Sequence, residues 1–183
     1  MLYPLTTSTR EQAALDGLWE VAFDPRREGL RRRFPLRPPP GVRAMAVPAS
    51  LNEQVTEPAL YHHMDWVWYF RDFVVPASWT ERRLFLRFGA ANYRAEVFLD
   101  GRRLGGHEGG YTPFEFELTG LARPGQTHRL AVRLDNLLDA TTIPQGNLPP
   151  EVGGVAAWRV GNHPNVHYDF FPFMGLHRPV VLY

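Results

Sequence analysis

From Leu84 to Leu134 the apolar residues fall at every second position, run after run. That period of two describes strands with one buried and one wet face, not helices. "RRLFLRFG" puts Leu84, Leu86 and Phe88 on one face, and "YRAEVFLDG" does the same for Tyr93, Ala95, Val97 and Leu99. Asp100-Gly101 then supplies the positive φ angles of a tight hairpin, and "RRLGGH" returns. "FEFEL" and "THRLAVRLDN" alternate again, the latter with Leu130, Val132 and Leu134 inward. "LWEVAF", "RAMAVPAS" up to Pro48 and the closing "LHRPVVLY" are further strands. "VWYFRDFVVP" is apolar on both faces, as a central or sandwiched strand is. About nine short strands separated by turn signals predict an all-β chain, a jelly-roll β-sandwich. Helical periodicity is nearly absent; "STREQAALDG" has room for one turn.

The 183 residues fit a single domain with a real core, and 44% hydrophobic against 21% charged residues describes a globular chain. A formal charge of +1 gives no whole-domain attraction to nucleic acid or to an anionic membrane. Cysteine is absent, which removes disulfides and thiolate metal sites and fits a reducing, cytoplasmic setting. The opening "MLYPLTTSTREQ" has no basic segment followed by an apolar run, and no stretch approaches the roughly 18 apolar residues of a membrane span. All 20 basic residues are arginine, which a GC-rich genome explains better than any specific need for guanidinium forks.

Two stretches stand outside the strand pattern. "RREGLRRRFPLRPPPG" (Arg26 to Gly41) is basic and proline-terminated, and reads as a solvated excursion in preference to a phosphate-binding arm. Leu137 to Tyr168 holds four prolines and no apolar period. An irregular loop of that length inside a compact domain is characteristically functional; the plainer alternative is a surface flap.

No active site is complete. Glu115 and Glu117, two apart on a strand, place Cα atoms roughly 6.7 Å apart on one face, near the separation of glycosidase carboxylates. Any strand with a charged outer face gives that spacing, so they read as solvated face residues. "GGHEGG" places His107 and Glu108 between glycine pairs and reads as a turn; it lacks the Lys-Ser/Thr of a phosphate loop. His163 and His167 flank Pro164 in loop sequence, so they share no helical face and make no zinc pair. No G-x-S-x-G elbow occurs. Aromatic residues such as Trp68 and Tyr69 could stack on sugars but lie in strands, where core is the default.

Four stretches together resemble one family. "TREQAALDGLWEVAFDP", "VPASLNEQ", "VWYFRDFVVPASW" with "LRFGAANYRAEVFLDGRRLGGHEGGYTPFEFELT", and "DFFPFMGLHRPVVLY" follow in order the motifs of the N-terminal domain of glycoside hydrolase family 2 enzymes, most closely the β-glucuronidases. The resemblance covers nearly the whole chain. Where the family has Asn-Tyr-Ala/Gly after Asp-Phe-Phe, this chain has Pro172, Phe173 and Met174.

The resemblance implies a galactose-binding-domain-like jelly roll over residues 1–183. In family members an immunoglobulin-like sandwich follows, and then a TIM barrel that carries both catalytic glutamates of a retaining mechanism. This chain is therefore expected to be an excised first domain or a truncated product, inactive alone, with the barrel as its partner in cis. It implies no catalytic residue, no metal and no cofactor here. It implies a homo-oligomeric parent that acts on β-glucuronides, or alternatively on β-galactosides or β-galacturonides. A free-standing carbohydrate-binding module is the reading from a different class. Gly105 to Leu118 becomes a turn and strand entry, and Glu108 matches neither catalytic glutamate. The residue expected to reach substrate from this domain is Asp169, the aspartate of Asp-Phe-Phe.

Overall fold

The computed structural model describes residues 3–143, 145–146 and 174–183. Among the described residues ten strands form two antiparallel sheets. In chain order they are β1 (Ala13–Ala14), β2 (Gly17–Asp24), β3 (Arg43–Val47), β4 (Trp66–Val74), β5 (Phe85–Phe88), β6 (Arg94–Leu99), β7 (Arg102–Glu108), β8 (Phe114–Glu117), β9 (Thr127–Asp135) and β10 (Val180–Leu182). One sheet has the order β1-β10-β5-β8 and the other β3-β2-β4-β9-β6-β7. This is the expected jelly-roll sandwich, with the last strand inserted between the first and the fifth. The helical content is small: α1 (Pro58–Tyr61) and single 3-10 turns at Asn52–Gln54 and Ala77–Trp79.

The alternation read from sequence decides which side chains enter the core. Leu84, Leu86 and Phe88 from one sheet meet Ala95, Val97, Leu99, Leu130, Val132 and Leu134 from the other, all buried. Asp100 and Gly101 take φ of 49° and 81°, the two positive values that a tight β6–β7 hairpin needs. The exposed edge at β3 is blunted by a side chain. Gln54 accepts the Ala46 amide at 2.6 Å and donates to the Ala46 carbonyl at 3.2 Å, standing in for a neighbouring strand.

Three expectations are corrected. First, Arg26 to Gly41 is a solvated excursion only in part: most of it is exposed, but Gly29, Phe34 and Pro35 are buried. Its Phe34 packs on the outer face of the six-stranded sheet with Ala22, Trp68, Phe70, Phe98 and Ala131, making a second apolar cluster. This is why β4 is apolar on both faces: Val67, Tyr69 and Phe73 serve one core while Trp68 and Phe70 serve the other. Asp24 fastens the excursion. Its carboxylate accepts the amides of Glu28 and Gly29, at 2.9 and 2.8 Å, and the Trp68 indole N–H at 3.0 Å. A Cβ on Gly29 would collide with the Trp68 indole, so that position requires glycine. Second, "GGHE" lies within β7 and is not a turn; the turn begins at Gly109, with φ of 130°. Gly105 is needed because the Phe116 ring occupies the space of a Cβ, 2.6 Å from its nearest ring carbon. Third, "STREQAALDG" forms no helical turn. Thr7 accepts the amides of Thr9 and Arg10 in a hydroxyl-capped turn, and Ala13–Ala14 then pairs with β10.

Candidate functional site

One end of the sandwich gathers three loops: Ala49 to Asp65 before β4, Gly89 to Tyr93 before β6, and the connection from β9 to β10. That last connection carries the long irregular segment singled out in the sequence. Where it leaves β9, Asn136 accepts the Asp65 amide at 2.8 Å and donates to the His63 carbonyl at 3.0 Å. Its first turn is knit by Asp139, whose carboxylate accepts both the amide and the hydroxyl of Thr141 at 2.8 and 2.6 Å. Leu138 and Thr142 are buried there. Arg94 clamps this root, donating to the Leu137 carbonyl at 3.2 Å and to Asp139 at 3.1 Å.

The chain returns at Met174. Its amide donates to the buried Asn52 side chain at 3.3 Å, and its carbonyl accepts the Leu51 amide at 2.9 Å. Gly175 bridges to Asn92 and has φ of 104°; a Cβ there would meet the Tyr69 hydroxyl. His177 reaches the Gly110 carbonyl at 2.7 Å. The described residues on either side, Asn136 and Met174 to Gly175, are therefore held by buried amide side chains and a glycine that no other residue replaces without strain. Asn52, Asn92, Asn136 and Gly175 carry no signal of this in sequence. Each looks like an ordinary turn residue until the three loops converge.

Asp169 lies outside the described residues, as do His163, His167, Pro172 and Phe173. It precedes the Met174 anchor closely in the chain. The other acidic candidates are placed and paired. Glu108 faces Arg94 across the β6–β7 ladder at 3.3 Å. His107 stacks on Phe114 with ring centroids 4.3 Å apart and contacts the Thr112 hydroxyl at 3.0 Å. Glu115 and Glu117 do share the outer face of the four-stranded sheet. Glu117 accepts two hydrogen bonds from Arg83, at 3.0 and 2.9 Å, which hold its carboxyl below the usual range. Glu115 is half-buried, more so than a solvated face residue. It accepts the Tyr183 hydroxyl at 2.8 Å and pairs with the buried Arg87 at 3.4 Å. Both carboxylates are thus engaged by arginines across the sheet and do not face each other over an open site.

An Asp–His pair elsewhere is structural for the same kind of reason. His128 contacts Asp100 through Nδ1 at 2.7 Å, and its Nε2 accepts the Arg123 amide at 2.9 Å, so both ring nitrogens are engaged. Among the described residues no group of three His, Asp or Glu could hold a metal ion. Nor is any helix there long and apolar enough to cross a membrane.

Burial lowers the pKa of His63, His107 and His177, so the fold holds them neutral. The unfolded chain, with histidines near 6.5, binds more protons below that value. Their stabilisation is present above the unfolded value and is lost as pH falls through it toward the folded values. Melting temperature should stay level from pH 8 to 7 and decline toward pH 5. His177→Gln should flatten part of the decline. A melting temperature that rises on acidification would contradict this.

Comparison with known proteins decides the family. The model of glycosyl hydrolases family 2, sugar binding domain, matches residues 12–183. The chain belongs to that family. This sugar-binding domain is 36% identical over 185 residues to a β-glucuronidase of Paenibacillus borealis, with all of the chain and 30% of the relative covered. It is also 36% identical, over 194 residues and with the same coverage, to the β-glucuronidase of Rattus norvegicus. Among solved structures it is similar to a β-glucuronidase from an uncultured Clostridium species, with TM-score 0.86 and 34% identity over 100% of this chain and 30% of that one. A β-glucuronidase of Ruminococcus gnavus in complex with D-glucuronic acid gives TM-score 0.85 at 29% identity, over 99% and 30% of the two chains. The sugar-binding domain thus spans about 30% of the length of the relatives it matches.

Proposed function

We propose that this chain serves as the non-catalytic N-terminal domain of a retaining β-glucuronidase, supporting the glycone site from one side. The observation that carries the reading is identity of 36% along the entire chain to β-glucuronidases three times its length. The geometry supports it. The described carboxylates with glycosidase-like placement are neutralised by arginines, while Asn52 and Asn136 hold the described residues at Met174 and at the end of β9. The chemistry belongs to a barrel in cis, and the role of Asp169 is to accept hydrogen bonds from glycone hydroxyls.

Purified chain is accordingly expected to release no product from an aryl β-D-glucuronide. Grafted in place of the matching domain of the Paenibacillus borealis relative, it is expected to sustain glucuronide hydrolysis. Turnover by the isolated chain that disappears in Glu115→Ala or Glu117→Ala would overturn the reading.

A further inference from the structure

Tyr69 carries a polar group that packing does not explain. It lies within β4, paired with Val21 of β2 and Val132 of β9. Its ring belongs to the main core, with 1% of the residue exposed. A phenylalanine would fill that place without burying an oxygen. The hydroxyl makes no hydrogen bond among the described residues; the Leu176 backbone lies toward it without closing one. Burial raises its pKa, so the group stays a neutral phenol with a hydrogen to donate. A buried polar group in that state costs stability, and natural cores keep few of them.

The oxygen bears on one short stretch of backbone. It occupies the space that a Cβ on Gly175 would need, and the Leu51 Cβ lies 3.5 Å from the same point. Gly175 holds φ of 104°, and its carbonyl accepts the Asn92 amide at 3.1 Å. Met174 before it is tied to Asn52 and Leu51, and the Leu176 carbonyl after it accepts the Ala49 amide at 3.2 Å. Those bonds join the stretch to neighbouring loops. The hydroxyl sets it against an interior strand of the six-stranded sheet, the more rigid support for a site.

We propose that Tyr69 is a positioning residue for glycoside hydrolysis: its hydroxyl sets Gly175 against the sheet and so acts, through Met174, on Asp169. Asp169 stands shortly before Met174 in the sequence. The inference rests on the substrate-binding role proposed for Asp169 above. A misplacement of about 1 Å at an orienting group is enough to slow a reaction roughly a hundredfold, so a contact of this kind matters to rate even where it adds nothing to stability.

The test is Tyr69→Phe, which removes one oxygen and keeps the ring, in the grafted enzyme described above. Its melting temperature is expected to hold or rise, because the hydroxyl has no hydrogen bond to lose. Its kcat/KM for an aryl β-D-glucuronide is expected to fall at least tenfold, through kcat and not KM, as for an interaction made in the transition state. A second measurement needs no turnover. In the chain by itself, hydrogen exchange at the Met174 and Leu176 amides should quicken at least tenfold in Tyr69→Phe, with the β2 and β9 amides unchanged. Gly175→Ala should lose stability that added Tyr69→Phe partly restores, since the nearest remaining ring atom is 3.4 Å from the new methyl. Unchanged kcat/KM in an active graft, a lower melting temperature with intact kinetics, unaltered exchange, or no restoration in the double variant would each overturn the proposal. A graft that is inactive with the unaltered domain removes the enzymatic reading instead, and the exchange measurement then decides whether Tyr69 holds Gly175.

Discussion

Trp68→Ala is expected to lower the stability of this domain by about 3–5 kcal/mol, the usual range for removing a fully buried tryptophan. Two losses combine. The indole fills the space between Phe34, Phe70 and Phe98, at ring-centroid distances of 5.9, 6.3 and 5.8 Å. Its N–H is also one of three donors to the buried Asp24 carboxylate. Trp68→Phe keeps most of the packing and drops the donor, so it should cost less, about 1–3 kcal/mol for a buried group left unsatisfied. Denaturant midpoints at constant slope measure both. Limited trypsin digestion adds a local readout: cutting at Arg31 to Arg33 should accelerate in Trp68→Ala before the sandwich itself is lost. If neither variant moves the midpoint and digestion there is already fast in the unaltered chain, the excursion is solvated after all.

Asp169→Ala, in an enzyme carrying this domain, is expected to reduce kcat/KM for an aryl β-D-glucuronide by a factor on the order of 30. A charge-assisted hydrogen bond lost from the transition state contributes about 2 kcal/mol, which is that factor. The melting temperature should hold, because the loop's described anchors are Asn52, Asn92 and Asn136 and not this carboxylate. An aspartate that merely caps a turn by bonding local backbone gives the opposite pattern, a lower melting temperature with intact kinetics. That opposite pattern would remove Asp169 from the substrate site.

Local chemistry determined most of the fold. The period of two in "LFLRF", "AEVFL" and "LAVRL" fixes which side chains turn inward, because successive residues of a strand face opposite sides. Asp100-Gly101 fixes one hairpin because the two residues tolerate positive φ. The motif order fixed the family, and with it the expectation placed on Asp169. What sequence could not show depends on residues that meet only after folding. Arg26 to Gly41 is basic and proline-rich, and nothing in it announces that Phe34 has a partner in Trp68, far along the chain on β4. "GGHE" has the composition of a turn, yet it is strand, because it pairs with β6, and its glycines make room for the Phe116 ring of the facing sheet and the Ala95 carbonyl of β6. Glu115 and Glu117 were legible as a pair on one face. Only the packed sheet shows that Arg87 and Arg83 neutralise them. The loop frame was the least legible of all. Asn52, Asn92, Asn136 and Gly175 acquire their roles from hydrogen bonds and close contacts between segments distant in sequence, and single-residue propensities carry no record of such contacts.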